Sequence, residues 1–136
     1  MNRRDATLSG WQKAGLAAHA WLSLLHVHLL LRRVPLPEAV QRLSCDDRAW
    51  WPPLQPRRLS RIIHRSLRVG AWQPRCLIGA LVLFRLLRAQ GVDAELAIGL
   101  PDDAETHAAH AWIEVDGVDV GPPPGKGDHE ALARYR

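Results

Sequence analysis

Residues 72–90 read WQPRCLIGALVLFRLLRAQ, and this stretch decides the fold because it puts a cysteine at the start of an apolar helix. Pro74 stands just ahead, where a helix tolerates proline since that early N–H has no intrahelical acceptor. Apolar residues then recur at helical spacing, at Leu77, Ala80, Leu81, Phe84 and Leu87. Gly91 follows, as is typical of the position just after a helix. The sequence therefore predicts a buried helix with Cys76 in its first turn.

A thiol in that position is placed for nucleophilic chemistry. The unpaired N–H groups and the positive end of the helix dipole both favour thiolate, the form that attacks carbonyl groups. The same N–H groups can hold an oxyanion. Cys45 has no such surroundings and no apolar stripe after it, so we interpret it as a bystander. A lone cysteine at a helix start is also often just a small buried residue.

Length and composition predict one globular domain. The chain has 136 residues, of which 47% are apolar and 24% charged, a balance that excludes a disordered chain. A net charge of +4 favours an acidic partner without identifying it. Two cysteines provide no disulfide framework and no secretory signal precedes them, so we expect a reducing, cytoplasmic location.

The N-terminal half is predicted to be mainly helical, with a long helix from Trp11 to Arg33. Its formally uncharged run, residues 14–31, approaches the length of a membrane span. However, His19, His26 and His28 would be costly in lipid, so we expect no span and burial against the domain or a partner. These histidines are better explained by the wetter side of a core helix than by a metal site, and we expect neither metal nor cofactor.

Two further helices are predicted, over Glu38–Leu43 and Arg57–Val69. A loop between them carries Trp50 and Trp51, which either cap the core or anchor a peptide. The second helix has an arginine-rich outer face, made by Arg57, Arg58, Arg61, Arg65 and Arg68. That face is consistent with nucleic-acid binding, with a solvated surface, or with docking of an acidic peptide.

After Gly91 the apolar period changes from that of a helix to that of a strand. Residues 94–100 and 110–115 alternate, Asp116-Gly117 is a strong hairpin signal, and residues 118–120 return. We expect at most a short helix in the tail, residues 126–136. The predicted fold class is α+β, with a helical N-terminal half packed on a small antiparallel sheet.

A histidine at the head of the second strand completes a candidate site. Cys76 on a helix followed by His110 on a strand is the layout of a papain-type thiol catalyst. We prefer His110 as the base because it opens the strand beside two alanines, whereas His107 lies in the preceding loop.

The quoted segments also carry a family resemblance. CLIGALVLFRLLRAQGVDAELAIG (residues 76–99) and AHAWIEVDG (residues 109–117) resemble the lasso-peptide leader peptidases, small bacterial members of the transglutaminase-like cysteine protease superfamily. The similarity covers about a third of the chain and is closest to the free-standing peptidase. It implies one domain over residues 1–136, with a helical part (1–70), a catalytic helix and sheet (71–125) and a tail (126–136).

The resemblance implies a hydrolase that removes the leader from a ribosomally made precursor peptide. Cys76 would attack the peptide carbonyl, His110 would move the proton, and a donor from Trp72–Gln73 would help to hold the oxyanion. The implied partners are the precursor, a separate leader-recognition protein and an ATP-dependent cyclase, with no nucleic acid. A non-catalytic scaffold of the same pathway, a related acyltransferase and a nucleic-acid binder are the alternatives.

One position departs from the family pattern. In the family, an acid on the returning strand orients the histidine. The corresponding position in this chain is Pro122. A two-residue turn would set Val115 against Val118 and Glu114 against Asp119. Asp119 is then the candidate third member of the site, about 13 Å along the strand from His110. Alternatively, a backbone carbonyl orients His110, or the site has no third member.

Overall fold

The computed structural model describes residues 7–44, 49–70, 75–100, 110–121 and 130–136. Within these ranges the helices are α1 (Gly10–Arg33), α2 (Leu36–Leu43), α3 (Pro56–Leu67) and α4 (Cys76–Ala89). The strands are β1 (Ala94–Leu100), β2 (His110–Val115), β3 (Val118–Gly121) and β4 (Glu130–Tyr135). The order of elements confirms the predicted α+β class, with helices first and a small antiparallel sheet after them.

Helix α1 begins with a capping box and is buried along one face. The Ser9 hydroxyl accepts the Gln12 N–H, and the Gln12 side chain accepts the Ser9 N–H in return. The buried face consists of Leu16, Ala20, Ser23, Val27 and Leu30. Ser23 accepts a hydrogen bond of 3.3 Å from Arg85 of α4, which ties the two helices together. The predicted helix over residues 11–33 is confirmed.

By length and composition alone, α1 is apolar enough to cross a membrane. Only 28% of its most apolar 18-residue window is buried within the fold, although α1 packs against α2, α3 and α4. Core helices and signal sequences satisfy the same criteria, so the observation is weak support for a span. The expectation of no membrane span stays a prediction.

The tryptophan pair lies against α1 and the end of α4. Trp51 is 4% exposed and donates its indole N–H to the Gln90 side chain at 2.5 Å. The His19 ring lies 5.5 Å from the Trp51 ring and 6.4 Å from that of Trp50, centroid to centroid. Trp51 therefore caps the core, as one of the two interpretations of this pair predicted, and His19 is an aromatic neighbour within that cap.

Helix α4 is the centre of the core. Its buried residues are Gly79, Ala80, Leu81, Val82, Leu83, Phe84, Leu86 and Leu87. It ends in a Schellman motif, in which the N–H of Val92 bonds the Leu87 carbonyl and that of Gly91 bonds the Arg88 carbonyl. Gly91 has a φ of +76°, which L side chains rarely adopt. The predicted helix and its glycine stop are both confirmed, with Cys76 as the first helical residue.

The four strands form one antiparallel sheet in the order β3-β2-β1-β4. Asp116 and Gly117 both have positive φ, 53° and 77°, as a two-residue hairpin of the primed type requires. The predicted pairs Val115–Val118 and Glu114–Asp119 are present. A bulge then places Gly121 opposite Ile113, so the hairpin register shifts by one residue beyond Glu114.

The prediction of at most a short helix in the tail was wrong, because residues 130–135 form strand β4 along the free edge of β1. The stretch EALAR consists of good helix formers, which is why its composition favours a helix. Tertiary pairing prevails over that preference. Arg134 forms ion pairs with Glu95 of β1 and Glu114 of β2, while Arg136 pairs with Glu95.

Candidate active site

Cys76 is the first residue of α4, and its thiol, which is in no disulfide, is half-buried. The preceding residue, Arg75, has extended backbone angles and makes no capping hydrogen bond with its side chain. By helix geometry the amides of the first turn, including those of Leu77 and Ile78, have no intrahelical acceptor. The start of α4 therefore offers N–H groups and a positive dipole end beside the sulfur, surroundings that can hold an oxyanion.

His110 is the first residue of β2 and is half-buried, with its Nε2 atom shielded from solvent. Its cross-strand partner on β1 is Gly99, which has no side chain to occupy the space beside the imidazole. On its own strand the ring lies 6.3 Å from that of Trp112, centroid to centroid, at an interplanar angle of 30°. The ring is therefore held beside a large aromatic neighbour and faces no bulky group from β1.

The topology brings the starts of α4 and β2 to the same end of the molecule. Helix α4 is about 21 Å long at 1.5 Å per residue. After the tight turn at Gly91 the chain returns along β1, about 23 Å at strand rise, and β2 begins opposite the end of β1. Helix α4 packs on both strands through the face that carries Ala111 and Ile113. His110 therefore belongs to the row on the other face of the sheet, as the first residue of its strand. The direct pairing of the Cys76 thiol with the His110 imidazole stays a prediction.

Asp119 lies on β3 opposite Glu114, which leaves it four residues along the sheet from His110. One of its carboxylate oxygens, Oδ1, accepts the N–H of Gly121 at 2.8 Å, so the side chain helps to hold the bulge at the end of β3. Through this contact Asp119 stabilises the backbone of its own strand. Its role as third member of the site stays a prediction.

A buried carboxylate on β2 escaped the sequence reasoning. Glu114 is 5% exposed, and its Oε1 accepts the indole N–H of Trp112 at 2.9 Å. Its other oxygen accepts a hydrogen bond from Arg134 of β4. Because alternate residues of a strand share a face, His110, Trp112 and Glu114 form one row along β2. The carboxylate thus holds the tryptophan whose ring neighbours the imidazole.

The cross-strand register explains why an arginine is needed at this place. Glu114 lies directly opposite Glu95, and like charges facing each other across a ladder are destabilising. Arg134 bonds both carboxylates, and Arg136 adds a second bond to Glu95 at 3.0 Å. The two glutamates face each other only once β1 and β2 are paired, so the sequence alone does not predict a further strand carrying a cation.

The cluster shifts the titration of its members. Burial acts to raise the pKa of Glu95, but the hydrogen bonds from Arg136 and Arg134 outweigh it, and the net pKa lies below the ordinary value. The hydrogen bond to Glu114, with a second one to Glu95, raises the pKa of Arg134. Both directions favour the charged forms of Glu95 and Arg134.

Several residues of the sequence hypothesis lie outside the described ranges. They are the alternative base His107, the oxyanion segment Trp72–Gln73, the bystander Cys45, and Pro122 at the position of the family's acid. Across the part of the chain that the structure does describe, no group of three or more His, Cys, Asp or Glu side chains is placed to hold a metal ion.

Fold and candidate site together define a small α+β protein whose central helix starts at a cysteine and packs on a sheet strand that starts at a histidine. The family model for the transglutaminase-like superfamily matches residues 22–134, which is most of the chain. The chain therefore belongs to the transglutaminase-like superfamily, which includes cysteine peptidases. No curated protein and no solved structure matches it.

Proposed function

We propose that the protein is a cysteine peptidase that removes the leader from a lasso-peptide precursor. The observation that carries the proposal is the position of Cys76, which starts the central helix at the end of the molecule where His110 starts its strand. Membership of the transglutaminase-like superfamily supports the thiol chemistry. The resemblance of residues 76–99 and 109–117 to leader peptidases supports the substrate.

The reaction would proceed through a thioester. The Cys76 thiol gives its proton to His110 as sulfur adds to the carbonyl that joins leader and core. The first-turn amides of α4 hold the oxyanion while the C–N bond breaks, and His110 returns the proton to the leaving amine. Water activated by the same imidazole then hydrolyses the thioester. The products are a leader with a free carboxylate and a core peptide with a free N-terminus.

In the proposed setting the protein works in the cytoplasm with two partners. A separate leader-recognition protein presents the precursor, and an ATP-dependent cyclase uses the released amine to close the macrolactam. The reaction itself uses no cofactor and no metal. Trp112 and Glu114 act as positioning residues, since they fix the neighbour of the imidazole without touching the scissile bond.

The test is cleavage of a lasso precursor in the presence of its recognition protein, followed by mass spectrometry. We expect released leader from the wild type, none from Cys76→Ala, and a loss of orders of magnitude for His110→Ala. His107→Ala tests the alternative base, and His64→Ala on α3 is the matched histidine control.

Full cleavage by the Cys76→Ala variant would refute the mechanism. A wild type that binds the partners and never cuts would instead indicate a scaffold of the same pathway. Transfer of the leader to an added amine in preference to water would indicate an acyltransferase. Alkylation of Cys76 by iodoacetamide across a pH series gives a readout independent of the substrate. Displacement of this pH profile toward higher pH in His110→Ala would support the pairing, and an unchanged profile would count against it.

A further inference from the structure

A basic groove runs between α1 and α3. It has a volume of about 420 Å³ and is lined by Lys13, Arg58, Arg61, Ile62, Arg65 and Ser66. Among the described residues of this lining, every ionisable group is a cation. The groove is held in shape across the two helices, because the indole N–H of Trp21 on α1 bonds the Ser66 carbonyl on α3 at 2.9 Å.

Within the part of the chain that the structure describes, three of the four cations of the groove are not used to hold the fold together. Lys13, Arg61 and Arg65 are exposed, and none of them forms an ion pair within the described ranges. Helix α3 has no acidic residue in its first turn, where Arg57 and Arg58 instead oppose the helix dipole. A helix selected for stability alone would carry acids there. An anionic ligand would relieve this repulsion.

The spacing of the groove suits carboxylates on a peptide. Along α3 the rise from Arg58 to Arg61 is about 4.5 Å and from Arg61 to Arg65 about 6 Å. These steps match acidic side chains three or four residues apart on a helix, or on alternate residues of a strand. Arginine forks bind carboxylates with two parallel hydrogen bonds. Ile62 adds an apolar floor between the cations, which fits the body of a peptide.

The lining favours a peptide over a nucleic acid. Proteins that bind single strands combine a basic groove with aromatic side chains on which bases stack. The groove lining contains no aromatic residue within the described ranges, and the polar edge of nearby Trp21 is occupied by its bond to Ser66. We infer that the groove is a docking site for an acidic peptide segment carrying two or three Asp or Glu residues. This inference is independent of the peptidase proposal.

The experiment is a fluorescence anisotropy titration of a labelled Glu-rich peptide, with the same peptide carrying Gln in place of Glu as reference. A Cys76→Ala background prevents cleavage, so a failure of the proposed peptidase would not affect the result. The test variant is the double substitution Arg61→Gln with Arg65→Gln. Its matched control is Arg32→Gln with Arg33→Gln, which removes the same charge from the exposed end of α1. Equal urea midpoints would show that both variants are folded.

We expect the groove variant to weaken binding by about tenfold, as the loss of two partly exposed ion pairs predicts. The control variant should bind the Glu-rich peptide as tightly as its parent does. The Gln peptide should bind neither the parent nor the control variant. Equal weakening in the two double variants would overturn the inference, because net charge alone would then explain the affinity. Stronger binding of a DNA oligonucleotide of equal charge would overturn it as well, in favour of a nucleic-acid site.

Discussion

The Trp112–Glu114 hydrogen bond can be weighed against a second indole bond in the same molecule. Trp112 is fully buried and donates to a carboxylate at 2.9 Å, whereas Trp51 is 4% exposed and donates to the neutral amide of Gln90 at 2.5 Å. Replacing either residue by Phe removes the same atoms from a buried place. The two losses therefore differ chiefly in the acceptor that is left without its donor.

Hydrogen bonds to charged groups contribute about 1.5–3 kcal/mol, and neutral ones about 0.5–1.5 kcal/mol. Trp112→Phe should therefore lower the free energy of unfolding by about 1–1.5 kcal/mol more than Trp51→Phe does. Urea denaturation followed by circular dichroism measures both, with an unchanged m-value as the sign that only stability has changed.

A double-mutant cycle makes this comparison specific. In a Glu114→Gln background the excess cost of Trp112→Phe should shrink, because the acceptor is then a neutral amide. If Trp51→Phe is the more costly of the two, or if Glu114→Gln leaves the excess unchanged, the carboxylate does not hold the tryptophan as we describe.

Three further predictions test the helix stop, the buried face of α1 and the acid response of the sheet. Gly91→Ala should cost about 1–2 kcal/mol because of the positive φ, whereas Gly10→Ala, with open space at the first turn of α1, should be neutral or slightly stabilising; equal effects in urea denaturation would contradict the motif. Leu16→Ala should lower the free energy of unfolding by about 2–5 kcal/mol. Leu22→Ala, on a side chain that is 67% exposed, should change it by no more than about 0.5 kcal/mol. Comparable losses of stability in the two variants would mean that the buried face of α1 is not the one described. Burial raises the pKa of Glu95, but hydrogen bonds from arginine lower it by more, so the net pKa in the folded protein lies below the ordinary value of 4.5. The carboxylate therefore stabilises the fold fully above pH 4.5, and this contribution is lost as the pH falls through the lower folded value. In urea denaturation at a series of pH values, Glu95→Gln should reduce the fall of the midpoint at low pH. An unchanged fall would contradict the prediction.

The helices and the hairpin could be predicted from the sequence because their signals are local. The apolar spacing after Cys76 and the glycine at 91 define α4, and Asp116-Gly117 defines the turn between β2 and β3. Each of these signals depends on residues within a few positions of one another. Local preference and tertiary packing agree there, so the predicted ends lie within a few residues of the observed ones.

The rest of the sheet depends on contacts between residues far apart in the chain. Strand β4 forms because β1 offers an edge and because Glu95 and Glu114 face each other across it. Neither fact can be read from the composition of residues 130–136, which favours a helix. The sequence predicts Cys76 and His110 as site residues from their neighbours, and this stays a prediction. It missed Glu114, whose importance appears only when Arg134 is beside it.

The manner in which β4 is attached has a consequence for how the molecule opens. Its half-buried side chains are two alanines and Tyr135, and Leu132 is 67% exposed, so it contributes little apolar contact to the sheet. Strand β4 is attached instead by backbone hydrogen bonds and by the ion pairs of two arginines. At high salt concentration, such exposed charges are screened over a few ångströms, so the ion pairs weaken. In concentrated salt the amide hydrogens that β1 shares with β4 should therefore exchange with deuterium before those it shares with β2, and the sheet should open from that margin inward.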